Sequence, residues 1–488
     1  MKTMLKRTRP EDVGISPTVL LNYLDALDQT GYIAHHIMIL KQGKVAFEAH
    51  FKPFRPDVYH YLCSCSKSFA STAIGFAAAE GLLSLDDRIV DIFPEKLDGE
   101  PHQYIKALTV KHLLSMSTVS DDDRFTMRTD DWTRDYLNSE PLHYPGTIFG
   151  YDSIGTHILC EIVQKLAKST LEEYLWPRLF EPLGVGRDEL FWQLNPMGIN
   201  HGGGGLHLTP EAMAKFGQLY INNGIWEGKQ ILPEGWAKEV AIPRRSTATS
   251  GETSRTHYGY KFWRTQRNGF ACLGLAGQCI VMHPDKELVF VGAANGFQSQ
   301  YQFFHMDYFW QLVYPHITDG PIPYEEDAYK QLQERANNAE VYSPGKIGGK
   351  ITSDMASKVS GRYYAADKNK LNCEGFTMEF GTDSGILSLK LKEREITIPF
   401  GYGKHVPGPT GLQDYAKQKG NVFPNKCGAA GYWVDERTFV IKSHVIDSLQ
   451  YFIIVCHFGE EAAVIDIRPH GIYKFDELPC AITSVCKS

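Results

Sequence analysis

The sequence predicts an α+β domain, with helices flanking an antiparallel sheet and a helical subdomain, followed by an all-β, barrel-like domain. Two hairpin signals, one near each end of the first 320 residues, enclose a long helix-and-loop section at about 105–240. After residue 350 the pattern changes to short, roughly alternating runs of β-branched and aromatic residues. We therefore divide the chain into a first domain at 1–320, a linker at 321–349 and a β-domain at 350–488.

The first elements are a helix, a hairpin and a second helix. Ser16–Gln29 has a serine cap and a stripe of leucines, which predicts an amphipathic helix. The apolar runs 36–40 and 45–51 flank Gln42–Gly43, a turn dipeptide, and predict two paired strands. A run of small residues from Ser64 to Gly81 predicts the second helix.

The last elements of the first domain return to the sheet. Residues 278–283 and 288–292 flank Pro284–Asp285 and predict a second hairpin. Residues 303–317 read as a closing helix rich in aromatic side chains. Strands from both ends of the domain thus build one sheet, with the helical section inserted between them.

The β-domain is predicted from six runs separated by glycine or acidic turns. These runs are residues 385–392, 395–400, 431–434, 438–442, 449–456 and 462–467. Their spacing is typical of a sandwich or an up-and-down barrel. No catalytic constellation occurs there, so we interpret this domain as a packing module, with a ligand-binding barrel as the alternative.

Composition narrows the class of protein. The chain has 488 residues and a formal net charge of −7, from 50 basic and 57 acidic side chains. It contains no block of basic residues, so the sequence does not predict nucleic-acid binding. No apolar run reaches the ~18 residues of a membrane span, and the start lacks the apolar core of a signal peptide. Ten cysteines without framework spacing predict reduced thiols and a cytoplasmic location.

One short motif indicates a reaction class. Ser64 and Lys67 form a Ser-x-x-Lys at the predicted start of a helix, a spacing that puts hydroxyl and amine on one face. A serine hydroxyl needs a neighbouring base to become a nucleophile, and a partly desolvated amine can be that base. The motif is weak alone, because it is expected by chance in a chain of this length.

Two further motifs follow in the chain. Tyr151-Asp-Ser153 lies in a turn-rich loop before a predicted helix, and Cys272–Gln278 contains glycines and leads into a predicted strand. Serine, lysine, tyrosine and a glycine-bearing strand in this order resemble the β-lactamase-related serine hydrolases, which include class C β-lactamases, penicillin-binding proteins and family VIII esterases. Further similarities extend over about 10–315, and the β-domain resembles the lipocalin-like domains of some members.

The resemblance implies a β-lactamase/transpeptidase-like fold and roles for single residues. Ser64 would be the nucleophile, Lys67 the group that takes its proton, and Tyr151 the phenol that protonates the leaving group. Ser153 stands where asparagine is more usual and would bind substrate through its hydroxyl. No cofactor and no metal are expected.

The third motif departs from the family. Where class C enzymes have Lys-Thr-Gly, this chain has Leu275-Ala-Gly277, and leucine cannot bind a substrate carboxylate. The N–H of Gln278 would complete an oxyanion hole with that of Ser64, and Gly277 would let its strand approach the substrate. The motif argues for a neutral or differently anchored substrate.

The sequence therefore predicts a serine hydrolase acting on a small-molecule ester, amide or lactam. A true β-lactamase or D-amino-acid peptidase is the first alternative, and a penicillin-recognising binding protein without turnover is the second. His201 and His207 bracket four glycines, which we interpret as a cleft loop and not as a metal site. Specificity is expected in the loops 118–143 and 240–257. The acyl group, the leaving group and the oligomeric state stay open.

Overall fold

The chain forms two compact units. The computed structural model describes residues 4–121, 128–247, 255–298, 302–341, 349–409, 411–412, 426–471 and 477–486. One unit comprises Met1–Tyr32, His36–Glu48 and Tyr59–Gln333, and the other comprises Ile33–His35, Ala49–Val58 and Glu334–Ser488. Parts of the predicted specificity loops (122–127 and 248–254) and of the predicted linker (342–348) lie outside the described residues.

The first unit is built on a nine-stranded sheet, and the sequence predicted its pairing of strands from both ends of the domain. Its strand order is β1-β3-β2-β14-β13-β12-β11-β10-β9, so strands from both ends of the unit lie side by side. Two short sheets, β4-β6-β5 and β7-β8, accompany it. The strands are β1 Lys6–Arg7, β2 Ala34–Lys41, β3 Lys44–His50, β4 His60–Tyr61, β5 Leu190–Trp192, β6 Leu206–Leu208, β7 Ile225–Trp226, β8 Lys229–Gln230, β9 Arg245–Ser246, β10 His257–Tyr258, β11 Trp263–Arg264, β12 Phe270–Gly274, β13 Gln278–His283 and β14 Leu288–Ala294.

Helices flank this sheet and fill the predicted helical section. They are α1 Pro17–Thr30, α2 Ser66–Ala79, α3 Ile89–Ile92, α4 Gln103–Lys106, α5 Val110–Leu114, α6 Trp132–Leu137, α7 Ser153–Ala167, α8 Leu171–Leu175, α9 Pro210–Ile221, α10 Trp236–Ala241, α11 Phe304–Tyr308 and α12 Glu326–Asn337. Helix α1 begins where the sequence predicted, because the Ser16 hydroxyl accepts from the N–H of Val19. None of the described helices has the length and apolarity needed to cross a membrane.

Helix α2 is buried on nearly every face, which explains its small residues. A side chain at Gly75 would place its Cβ 2.5 Å from the Trp236 ring. Ala73 and Ile74 are fully buried in the same core as Ile158 of α7. The close packing of α2 fixes the residues at its N-terminus, where the candidate site lies.

The second unit contains a closed β-barrel. Helix α13 (Asp354–Val359) precedes ten strands in the order β18-β17-β16-β15-β24-β23-β22-β21-β20-β19, and pairing of β18 with β20 closes the ring. The strands are β15 Tyr363–Ala366, β16 Cys373–Phe380, β17 Ser384–Leu391, β18 Glu395–Tyr402, β19 Val406–Gly408, β20 Cys427–Trp433, β21 Thr438–Val445, β22 Tyr451–Phe458, β23 Ala462–His470 and β24 Cys480–Cys486.

Aromatic side chains fill the barrel interior. Trp433 stacks on Phe380 at 5.4 Å between ring centroids, and Phe439 packs against Phe400 at 5.0 Å. A Cβ at Gly431 would lie 2.5 Å from the Phe439 ring, so the interior has no space for even a methyl group at that position. This packing favours the packing-module interpretation over a ligand-binding barrel.

Candidate active site

Ser64 lies in a single 3-10 turn, Cys63–Cys65, immediately before helix α2. The turn is anchored from both sides, since Ser66 Oγ donates to the carbonyl of Cys63 at 2.6 Å and accepts from Leu206 N–H at 3.0 Å. Cys63 has φ of +49°, a left-handed conformation that a residue with a Cβ adopts at a cost. Such strain next to a half-exposed hydroxyl is typical of active-site turns.

Lys67 contacts Ser64 directly. Its side chain is 1% exposed, and its Nζ donates to Ser64 Oγ at 2.8 Å and to the carbonyl of Gly203 at 2.5 Å. Two fixed acceptors hold the amine against the hydroxyl. The spacing of three residues therefore brings these two side chains together, as the sequence predicted.

The four glycines of 202–205 have a structural reason that the sequence did not show. A Cβ at Gly202 would lie 2.3 Å from Cys160 Sγ, and one at Gly203 would lie 2.9 Å from Ser153 Cβ. Only glycine lets this backbone pass between helix α7 and the serine turn and offer its carbonyl to Lys67. In the sequence, the run of four glycines was the signal that could have indicated this close approach of the backbone.

Tyr151 lies beside Lys67. The Lys67 Nζ is 4.8 Å from the centroid of the Tyr151 ring, a cation–π distance. The Tyr151 ring stacks on Trp263 at 5.9 Å between centroids and meets Tyr258 edge to face at 6.5 Å. Two aromatic rings thus hold the side chain of Tyr151, the predicted proton donor, in place.

A buried carboxylate fixes the start of helix α7 and hence Tyr151 and Ser153 on either side of it. Asp152 Oδ1 accepts from Gly155 N–H at 2.7 Å, while Oδ2 accepts from the hydroxyls of Thr118 at 2.7 Å and Tyr136 at 2.6 Å. Burial raises the pKa of Asp152, and these three donors act in the opposite direction. An aspartate before a predicted helix is a sequence signal for this cap, but the sequence gives no signal for its side-chain partners Thr118 and Tyr136.

Ser153 and His201 meet the site through Gly203. Ser153, the first residue of α7, is half-buried and packs against Gly203. His201 Nε2 is 3.4 Å from the position a Cβ at Gly203 would take, and the ring meets Trp132 at 5.3 Å. Burial and then the Lys67 charge lower the pKa of His201 to about 4, so the ring is neutral at pH 7. No group of three or more His, Cys, Asp or Glu among the described residues is placed to hold a metal ion.

The third motif differs from its predicted form. Leu275–Gly277 is a turn between β12 and β13, and the glycine that approaches the serine turn is Gly274. A Cβ at Gly274 would lie 2.2 Å from the Leu62 carbonyl oxygen. Gly277 instead faces Tyr32, whose hydroxyl would lie 2.3 Å from its Cβ, and its φ of +99° requires glycine.

The buried side chain of Gln278 stabilises the turn Leu275–Gly277 through hydrogen bonds. Its side chain is fully buried, and its Nε2 donates to the carbonyls of Ala294 at 2.7 Å and Leu275 at 3.3 Å. Its own carbonyl accepts from Cys65 Sγ at 3.4 Å. The structure thus brings Ser64, Lys67, Tyr151 and Ser153 together, whereas Gly277 and Gln278 support the turn behind Gly274.

Comparison with known sequences is consistent with this geometry. The model of the family described as Beta-lactamase matches residues 25–313, more than half of the chain. A 6-aminohexanoate-dimer hydrolase of Paenarthrobacter ureafaciens is 25% identical over 278 residues, which cover 52% of this chain and 70% of that protein.

Solved structures share the fold. A Bacillus anthracis protein assigned as a 6-aminohexanoate-dimer hydrolase aligns with a TM-score of 0.51 and 18% identity, covering 68% of this chain and 89% of its own. A Bacteroides dorei DSM 17855 protein assigned as a β-lactamase aligns with a TM-score of 0.52 and 19% identity, covering 61% of this chain and 99% of its own. At these identities the likeness concerns the fold alone.

Proposed function

Because the chain belongs to the Beta-lactamase family, we propose that it is a serine hydrolase that cleaves an ester or amide of a small molecule through an acyl-enzyme on Ser64. The observation that carries the proposal is the contact between the buried Lys67 amine and the Ser64 hydroxyl, at 2.8 Å. This separation lies in the range over which a general base takes a proton.

In the first step, the Lys67 amine accepts the proton of Ser64 while the oxygen attacks the substrate carbonyl. The carbonyl of Gly203 keeps the Lys67 amine in place and, as an acceptor, stabilises the protonated form that results. The negative charge moves to the carbonyl oxygen of the substrate, which needs backbone donors nearby.

We assign these donors to the N–H groups of Ser64 and Leu275. The side chain of Gln278 is buried, and its carbonyl lies on the Cys65 side of the turn. Leu275 directly follows Gly274, the residue in contact with Leu62, and is 43% exposed. Leu275 is therefore better placed than Gln278, and backbone donors do not depend on the side chain at that position.

In the second step the alcohol or amine leaves with a proton from the Lys67 and Tyr151 pair. Tyr151 is the phenol beside Lys67, and its ring is held by Trp263, so the proposed proton donor and base are neighbours. Water then attacks the ester on Ser64 with the same groups acting in reverse, which restores the free enzyme.

The proposal needs no cofactor and leaves the substrate as a small ester or amide. With Gly274 as the motif glycine, neither the buried Cys272 two residues before it nor Leu275 after it carries a positive charge that could anchor a carboxylate. The relative named for hydrolysis of 6-aminohexanoate dimer supports a small-molecule substrate for this chain. Cytoplasmic location also stays a proposal, supported by ten cysteines that are all free.

The test is hydrolysis of three substrates by the wild type and by Ser64→Ala: a short-chain nitrophenyl ester, nitrocefin and a D-alanyl dipeptide anilide. We expect turnover of the ester and its loss in the variant, with a stoichiometric acyl adduct on the wild type by mass spectrometry. Full activity in Ser64→Ala would rule out the mechanism.

Two other outcomes decide between the alternatives. Turnover of nitrocefin or of the anilide as efficient as that of the ester would make a β-lactamase or peptidase the better assignment. A stable adduct without turnover of any substrate would indicate a penicillin-recognising binding protein. Ser84→Ala, which changes an exposed serine outside the site, is the control variant.

A further inference from the structure

The turn Leu275–Gly277, which carries the second proposed oxyanion donor, has an unusual backbone conformation. Ala276 has φ of +62° and Gly277 has φ of +99°, so two successive residues lie in the left-handed region. Alanine adopts this conformation at a cost, because its Cβ approaches a carbonyl oxygen. Contacts from outside the turn are therefore needed to hold Ala276 in it.

Two glutamine side chains hold the peptide unit that joins Leu275 to Ala276. Its carbonyl, which belongs to Leu275, accepts from Gln278 Nε2 at 3.3 Å. Its N–H, which belongs to Ala276, donates to Gln302 Oε1 at 3.0 Å. Both polar ends of this peptide unit thus have a side-chain partner, and the unit cannot rotate without breaking a hydrogen bond.

The backbone of Gln302 is fixed against the same turn. Its carbonyl accepts from the Tyr32 hydroxyl at 2.6 Å, and that hydroxyl lies 2.8 Å from Nδ1 of the fully buried His305. A Cβ at Gly277 would lie 2.3 Å from the Tyr32 hydroxyl and 2.5 Å from the Gln302 carbonyl oxygen, so these groups pack directly on the turn. Gln302 therefore presents its side-chain oxygen to Ala276 from a fixed position.

The direction of the Leu275 N–H follows from the groups on its two sides. On one side Gly274 packs so closely on Leu62 that a Cβ would lie 2.2 Å from the Leu62 carbonyl oxygen. On the other side the peptide unit between Leu275 and Ala276 is held by the two glutamines. A backbone donor whose direction is fixed before the reaction stabilises an oxyanion without a cost of reorientation.

Resting on the function proposed above, we infer that Gln302 is a positioning residue of the oxyanion hole: its Oε1 holds the Ala276 N–H and thereby directs the N–H of Leu275 at the carbonyl oxygen of the substrate. In this role Gln302 acts through the turn and not by contact with the substrate. Acylation and deacylation both pass through an oxyanion, so loss of this direction slows both steps together. It therefore lowers kcat and leaves KM unchanged.

The experiment measures kcat and KM for the nitrophenyl ester in the wild type, Gln302→Met and Gln230→Met. Methionine has a side chain of similar length to glutamine and lacks the amide oxygen. We expect Gln302→Met to lower kcat about tenfold and to keep KM within about twofold. A wild-type kcat in Gln302→Met, or a change in KM as large as that in kcat, would overturn the inference.

Gln230→Met is the matched control. Gln230 also holds backbone, since its Nε2 donates to the carbonyl of Leu232 at 2.8 Å, but it lies on β8 of the separate two-stranded sheet. Both constants should stay at their wild-type values in this variant. An equal fall of kcat in the two methionine variants would mean that loss of a structural hydrogen bond is enough to explain the effect, which would also overturn the inference.

A rescue experiment separates positioning from a general loss of structure. Glycine adopts the left-handed conformation without the cost that alanine has, so Ala276→Gly makes the turn less dependent on Gln302. The double variant Ala276→Gly/Gln302→Met should therefore have a kcat about threefold or more above that of Gln302→Met. Absence of any recovery would contradict the role of Gln302 in holding Ala276.

Tyr32→Phe covers the case in which Gln302→Met does not fold. It keeps the ring and removes the hydroxyl that holds the Gln302 carbonyl, so kcat should fall about threefold with KM unchanged, and a wild-type kcat would overturn the inference. Hydrolysis of the ester by Ser64→Ala would instead refute the proposed function. A wild-type kcat in Gln302→Met with an acyl adduct still formed on Ser64 refutes the inference alone, so the two failures are distinguishable.

Discussion

The serine site and the interior of the barrel are both buried, but different side chains fill them. At the serine site the buried Lys67 contacts the half-exposed Ser64 hydroxyl and the half-buried Tyr151 ring, and glycines make the room. In the barrel, rings such as Trp433, Phe439 and Phe400 occupy the space, and a glycine at 431 makes room for a ring. Both regions are closely packed, so packing alone does not distinguish them.

The difference lies in what the buried polar groups contact. Lys67 has two acceptors within 2.8 Å, and one of them is a half-exposed hydroxyl that substrate can reach. Lys442 of the barrel strand β21 is less deeply buried than Lys67, and burial lowers its pKa to about 8, but it lies inside a strand and not next to a serine turn. A buried ionisable group indicates chemistry only when a second reactive group is held against it.

The largest expected effect comes from exchanging the two lysines for methionine. Lys67→Met should lower kcat about 10³-fold or more, because Ser64 loses its base while the volume of the side chain is kept. Lys442→Met should leave kcat within about twofold, since it removes a half-buried cation from the barrel and none from the serine site. Rates on the nitrophenyl ester check both, with circular dichroism to confirm folding. Equal losses in both variants would contradict the comparison.

The next effect concerns the phenol. Tyr151→Phe keeps the ring between Lys67 and Trp263 but removes the proton donor, and we expect kcat to fall about 10²-fold. Tyr451→Phe is the barrel counterpart, a ring stacked between His444 and His470, and should leave kcat unchanged. If the rate of Tyr151→Phe were that of the wild type for a substrate with a poor leaving group, Tyr151 would have no role in proton transfer.

Two glycines give the third comparison. In Gly274→Ala the new methyl would meet the Leu62 carbonyl at 2.2 Å, which pushes β12 from the serine turn and should lower kcat/KM about 10²-fold. In Gly431→Ala the methyl meets the Phe439 ring, which should lower the free energy of unfolding by about 1–3 kcal/mol without changing kcat/KM. Rates and urea unfolding of both variants test the contrast, and a rate loss in Gly431→Ala would break it.

The smallest effect is a pH dependence of the barrel unit. Asp447 is 2% exposed, and desolvation raises its pKa to about 7 from 3.8. As pH rises from about 4 to 7 the unfolded chain loses this proton and the folded chain keeps it, so folded stability falls with pH in this window. Asp447→Asn should remove this loss, on the order of 1–2 kcal/mol. Thermal unfolding at pH 5 and 8 measures it, and parallel pH profiles in variant and wild type would contradict it.

Much of the fold was predictable because it follows local patterns. The serine cap of α1, the hairpins of β2–β3 and β13–β14 and the alternating strands of the barrel are set by neighbours in the chain. Strand β12 was missed because Phe270–Gly274 is short and contains small residues. The closing helix of 303–317 was predicted as one element, but only Phe304–Tyr308 is regular α-helix.

In the candidate site, too, contacts between chain neighbours were predicted and contacts between distant residues were not. The contact of Ser64 with Lys67 needed only the spacing of one helical turn. The sequence assigned Gly277 to the third motif, whereas in the structure Gly274 meets Leu62 of the serine turn and Gly277 faces Tyr32. Two glycines so close in the chain cannot be distinguished without knowing which neighbour each one faces.

By itself the sequence determined the first helices, the two hairpins, the two kinds of domain and the pair that carries the proposed chemistry, because each depends on short-range spacing and on side-chain type. Tertiary structure alone decided which carbonyl holds Lys67, which glycine meets the serine turn and which ring stacks on Tyr151. The reason is physical: a contact between residues far apart in the chain depends on how whole elements pack, and that packing minimises the free energy of the entire core.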